Sequence, residues 1–282
     1  MPPRLQGARS DLSRPTWKQF GRRLIIAFIL FLLMSLSLPL PGTFVFALVP
    51  ATLLLWGGLI AWIAATNLFE NRQSTRLAWS ALTTGAYLTV AGLALVRGSS
   101  GIVDLLGPVV ALTLVPHLGR RDLDVAMRDW AVVTGIALYV ALGVQAMWVL
   151  ISSLGLPVFF IVGVGPPLLF EALVLLFRRS SWPAARGYAA PLLLATATSV
   201  VLLSFTQFNS SMLPLWLIFF GAIIGILIGA GLLLSHLTRR MVEAASGAFH
   251  TGANPLARSL VELSHGPLII SLALYLPISL LR

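Results

Sequence analysis

The stretch LLFEALVLLFRRSSW, residues 168–182, decides the fold class. Glu171 stands in a run of leucine, alanine, valine and phenylalanine, and Arg178 and Arg179 close the run. A charged side chain in a lipid-buried helix is costly, so it has to face a bundle interior, a cavity or a cation. Similar apolar runs recur from one end of the chain to the other. Of the 282 residues 58% are hydrophobic and 10% are charged, whereas a soluble domain carries about 25% charged residues. Backbone groups in lipid must be satisfied internally, and no apolar run alternates like a barrel strand. The expected class is therefore all-α: a polytopic integral membrane protein.

About nine transmembrane helices are expected, over residues 24–40, 43–66, 78–96, 101–117, 130–153, 156–177, 188–206, 213–235 and 258–281. Each is close to the roughly 20 residues that cross a bilayer. GVGPP (163–167) should kink or unwind the sixth, and Pro267 and Pro277 put the continuity of the ninth in question. The chain reads as a cytoplasmic or interfacial tail over 1–23 and a single transmembrane domain over 24–282. The tail reads as no signal peptide, because no cleavage site follows the first apolar run.

With the N-terminus cytoplasmic, 17 of the 19 lysines and arginines fall on the inner side, and only Arg97 and Arg282 fall outside. The positive-inside rule then puts the C-terminus outside, and the expected location is the cytoplasmic (plasma) membrane, the cell inner membrane. The rule also accounts for the net charge of +10 without nucleic acid. The expected partners are the bilayer and anionic phospholipid; the tail segment LSRPTWKQFGRR (12–23) suits an anionic surface. With no cysteine, disulfides, thiolate metal sites and cysteine catalysis are excluded.

The ionisable groups gather on the same side. All four histidines, His117, His236, His250 and His265, lie there or at its border, as do seven of the nine acids, with Asp104 and Glu171 the exceptions. Glu171 is six residues before the end of its span, roughly 9 Å below the boundary at about 1.5 Å per residue. Arg178 follows it by two turns on the same face. A helix-joining glutamate, a ligand or metal role and a proton relay are all open readings. The segment HLTRRMVEAASGAFHTGANPLARSLVELSH (236–265) is too polar to span; it reads as a surface helix, a break at TGAN (251–254) and a second helix from Pro255. Arg258 and Glu262 stand at i, i+4 on that helix, with His265 three residues on.

AASGAF (244–249) resembles the serine motif of rhomboid proteases but opens into a loop. DLDVAMRD (122–129) resembles a prenyltransferase aspartate motif, but it lies on a short loop without its required partner motif. Histidines at zinc spacing are absent.

The order of features from residue 126 onward resembles the phosphatidate cytidylyltransferase (CDP-diacylglycerol synthase) family. AMRDWAVVTGIALYVALGVQAMWVLI (126–151) resembles a mid-chain span with a G-x-x-Y-V run, through Gly135, Tyr139 and Val140. Glu171 and Arg179 have the spacing of the family's aspartate and following basic residue. SSWPAARG (180–187) stands where the family has S-P-K-K-T-W-E-G. LLSHLTRRMVEA (233–244), AFHTGAN (248–254) and ARSLVELSHGPLII (257–270) occupy the places of its late acidic, glycine-rich and D-R-x-D-S segments. Arg258 precedes Pro267 by nine residues, as the family's arginine precedes its proline.

The resemblance implies handling of an anionic lipid headgroup at the cytoplasmic leaflet, and nucleotidyltransferase activity on phospholipid if the protein is an enzyme. It would make Glu171 and Glu262 the catalytic candidates, with Mg²⁺ as the cofactor of an active form. Arg178, Arg179, Arg186, Arg239, Arg240 and Arg258 would bind phosphate, and Glu243, His236, His250 and His265 would be further polar candidates. The paired metal-binding acids of the family are replaced: His236 stands where the first should be, and Arg258 alone remains of D-R-x-D-S. The metal is therefore unknown, and catalytic lapse is one reading. The alternative is a non-enzymatic multi-pass membrane protein, either a transporter or a subunit of a membrane complex.

Overall fold

Among the described residues, helix forms where the apolar runs call for it. The structure, a computed structural model, describes residues 16–36, 42–69, 76–97, 107, 109–111, 113–118, 122–177, 184–207, 222–235, 237 and 255–280. It is all-helical, with no strand among the described residues. Four segments are long and apolar enough to cross a membrane: Ala47–Thr66, Arg76–Val96, Leu123–Leu154 and Leu156–Leu176. Ala190–Val201, Ala222–Ser235 and Ser259–Tyr275 are shorter apolar helical stretches.

The helices are α1 (Trp17–Ser35), α2 (Gly42–Leu68), α3 (Arg76–Arg97), α4 (Leu123–Leu154), α5 (Leu156–Phe159), α6 (Gly165–Phe177), α7 (Ala184–Gln207), α8 (Ala222–Ser235) and α9 (Pro255–Leu280). Three boundaries differ instructively from the sequence expectation. The first span was expected from residue 24, yet α1 starts at Trp17. Thr16 and Gln19 cap it reciprocally: the Gln19 amide N–H donates to Thr16 Oγ1 (3.3 Å), and the Thr16 amide N–H donates to Gln19 Oε1 (3.0 Å). That pairing satisfies two otherwise orphaned donors.

The segment 118–129 was expected to be a loop, but α4 already begins at Leu123. Asp122 accepts from the Val125 amide (3.2 Å) and caps it. The third boundary is that of α9, which runs unbroken through Pro267 and Pro277. Pro255 starts it, where a missing N–H costs nothing.

The interruption expected near GVGPP is present as a π-helical turn, Phe160–Val164, between α5 and α6. Gly155, with φ of +86°, makes the turn from α4 into α5, a backbone conformation that a side chain would strain.

The chain divides into two compact units, residues 1–31 with 153–282 and residues 32–152. In the second, α2 and α3 pack closely. The buried Tyr87 hydroxyl donates to the Leu54 carbonyl at 3.1 Å, with Leu53 O at 3.4 Å. Gly57 makes room for it, since a Cβ there would lie 2.2 Å from the hydroxyl oxygen and 2.8 Å from Val144 Cγ2. Thr66 and Ser80 hydroxyls pair at 2.8 Å, as do those of Thr113 and Thr134. The Trp130 indole N–H donates to the Val110 carbonyl at 3.3 Å. Ala65, Phe69, Trp79 and Val133 form an apolar cluster.

In the first unit, close approaches again fall at glycines. A Cβ on Gly266 of α9 would stand 2.6 Å from Pro167 Cγ of α6. One on Gly231 of α8 would stand 2.9 Å from Ile270 Cγ1 of α9. Small residues at helix contacts are how backbones approach where lipid supplies no hydrophobic drive.

Candidate functional site

The approach of α9 to α6 at Gly266 and Pro167 positions the first unit's charges. Glu171 lies one turn beyond Pro167 on α6, and Glu262 lies one turn before Gly266 on α9. A single guanidinium, that of Arg23 on α1, reaches both carboxylates. Its Nη1 donates to Glu171 Oε1 and its Nη2 donates to Glu262 Oε2. The arginine side chain is 2% exposed and each carboxylate side chain 12% exposed.

The arginine belongs to the inward face of α1. Arg23, Ala27 and Met34 are all buried and repeat at i, i+4 and i+11. The planar fork of arginine lets two nitrogens serve two acceptors on different helices, which a lysine ammonium does less well. With both glutamates ionised the triad carries one positive and two negative charges. Three helices thus meet at charged groups that are expensive to bury alone and tolerable together.

Beside the triad runs an apolar groove between α1 and the α5–α6 segment, with a volume of about 470 Å³. Leu24, Phe28 and Phe31 line one side; Phe160, Val164 and Leu168 line the other. It begins one residue past Arg23 and one turn before Glu171. The π-turn supplies Phe160 and Val164 to its wall. Phe31 and Phe160 meet edge to face at its far end, with ring centroids 5.0 Å apart.

Glu171 and Glu262, the two acids expected to be catalytic, are therefore brought together, but on a tethered cation. Arg178 was expected within reach of Glu171; the partner that the structure describes is Arg23, 148 residues away in sequence. His265 is half-buried on α9, three residues beyond Glu262. Arg186 falls in α7 and Arg258 in α9, and their side chains are outside the described residues. Arg178, Arg179, Arg239, Arg240, Glu243, His236 and His250 also lie outside the described residues.

The described donor set does not fit Mg²⁺. Among the described residues no three acids or histidines are grouped so as to hold a metal ion. A hard divalent cation needs several oxygen ligands near octahedral geometry, and here one oxygen of each carboxylate already engages Arg23.

Sequence reasoning assigned Arg23 to the basic tail and missed its place in the site. Two signals pointed to it: the T-x-x-Q capping pattern at 16–19, which starts the helix early, and the spacing of Arg23 to Ala27 and Met34. Comparisons with protein-family models, curated proteins and solved structures find no match to this chain.

Proposed function

We propose that the protein is a multi-pass membrane protein of the plasma membrane that binds anionic phospholipid at the cytoplasmic leaflet without catalysing nucleotidyl transfer. In this reading nine helices span, the N-terminus is cytoplasmic, and the arginine-rich segments face the inner leaflet. The observation that carries the non-catalytic part is the Arg23 guanidinium held by both Glu171 and Glu262. Recruiting those carboxylates to Mg²⁺ would take both of them from a buried guanidinium, and losing one partner of a buried pair costs about 3–5 kcal/mol. The lipid part is supported by the 17 cations that the positive-inside arrangement gathers on one side.

The test is the purified protein in lipid nanodiscs with phosphatidate, CTP and Mg²⁺, followed by pyrophosphate release. No turnover is expected, alongside enrichment of anionic over zwitterionic lipid around the protein. Turnover that disappears in Glu171→Gln would overturn the non-catalytic reading and restore a lipid nucleotidyltransferase. Equal affinity for both lipid classes would overturn the lipid reading.

A second reading, a transporter, draws on the π-turn Phe160–Val164 inside the span Leu156–Leu176. Such turns recur at functional sites, and broken helices line transport paths. Proton or cation flux into proteoliposomes that is lost in Glu171→Gln would favour it.

A further inference from the structure

We propose that one acyl chain of an anionic phospholipid lies in the groove along α1, with its phosphate between Lys18 and Arg22. This rests on the lipid-binding reading above and gives the lipid a place. The groove walls named above are all Leu, Phe and Val, so its occupant is apolar. From Leu24 to Phe31 it runs about 10 Å at 1.5 Å per residue, within the roughly 15 Å depth of one leaflet. A helix from a protein partner is the poorer match. Helices that pair in lipid choose small residues at their contacts, whereas bulky Leu24, Phe28, Phe31 and Phe160 line this groove.

The head end of α1 supplies the complementary charge. Gly21 lies one turn above Leu24 on the groove face, and a Cβ there would meet nothing within 4 Å. Lys18 and Arg22 stand one turn apart at i−3 and i+1 from Gly21, on one face of the head end of α1, the lysine exposed and the arginine half-buried. Arg23 points away from it, toward the glutamates. Trp17 is 55% exposed and packs edge to face with Phe20, at 5.9 Å between centroids. Tryptophan at this position marks the depth of lipid headgroups. Along its axis the helix therefore carries two cations and an aromatic ring at the head end and an apolar trough below them, in the order in which a phospholipid presents its phosphate and its chain.

The experiment uses the full-length protein in nanodiscs containing chain-labelled phosphatidylglycerol or phosphatidylcholine. The motionally restricted fraction is read by electron spin resonance. The wild-type protein is expected to restrict phosphatidylglycerol preferentially. Replacing both cations (Lys18→Gln with Arg22→Gln) should lower that preference about 10- to 30-fold, since each basic residue near the surface contributes about 1 kcal/mol. Gly21→Phe fills the open space without meeting a neighbour, and should reduce the restricted fraction while both cations remain. Wild-type selectivity in both variants would overturn this site and leave lipid binding elsewhere on the protein standing. A wild-type protein that restricts the two lipids equally would overturn the lipid-binding reading itself, and this site with it.

Discussion

The two units solve the same problem in different ways. In residues 32–152, the hydroxyl groups bond close to home: Thr66 with Ser80, Thr113 with Thr134, and Tyr87 against the α2 backbone; the Asp129 carboxylate is buried there as well. In the unit of residues 1–31 and 153–282, full charges are buried, and their partners lie 148 and 239 residues apart in sequence. Neutral hydroxyl pairs add modest stability, and each is separable from the rest. An ion triad contributes little net stability when intact, but losing one member exposes the desolvation cost of the others. The first unit should therefore be brittle at its triad, and the second tolerant at its hydroxyl pairs.

The largest expected effect is at Arg23. Arg23→Leu removes the guanidinium that both Glu171 and Glu262 engage and should cost about 3–5 kcal/mol, read as a fall in Tm in detergent. Adding Glu171→Gln and Glu262→Gln to that variant should recover most of the loss; no recovery would mean that Arg23 acts through packing. Next comes Gly57→Ala in the second unit, where the new methyl overlaps the Tyr87 hydroxyl. Overpacking of this kind should cost about 1–3 kcal/mol, and Gly57→Ala with Tyr87→Phe should cost less. Thr113→Val removes one half of a hydroxyl pair and should cost about 1 kcal/mol by the same thermal measurement. Smallest is Glu171→Gln alone: it keeps an acceptor for Arg23 and removes the excess negative charge, so a change below about 1 kcal/mol is expected. A large loss there would show that the triad needs both charges, contrary to the ledger of one cation against two anions.

The helices and the isolation of Glu171 were legible in the sequence because both depend on local composition. The inward demand of Glu171 followed from the cost of charge in lipid, and Glu262 followed from its i, i+4 and i+3 neighbours on an amphipathic turn. Their common partner was not legible. Periodicity reads faces within one helix, and nothing in it reports which distant helix that face meets. Arg22 and Arg23 look alike in a basic tail; only a helix phase fixed by the Thr16–Gln19 cap leaves one half-buried and turns the other fully inward. The early start of α4 was hidden for a similar reason, since Asp122 reads as one more loop aspartate until it is seen as a cap.

The span between Arg23 and Glu262 has a consequence for biogenesis. The ribosome adds Glu262 239 residues after Arg23. At about 5–20 residues per second that is a delay of roughly 10–50 s. Throughout it the arginine belongs to a helix already made, while its second acceptor does not yet exist. A long basic side chain near a helix end can wait at the headgroup layer by snorkelling. Burial of Arg23 between the two carboxylates is thus a post-synthetic event that only a completed chain can undergo, and a truncation before α9 would leave the first helix still parked at the surface.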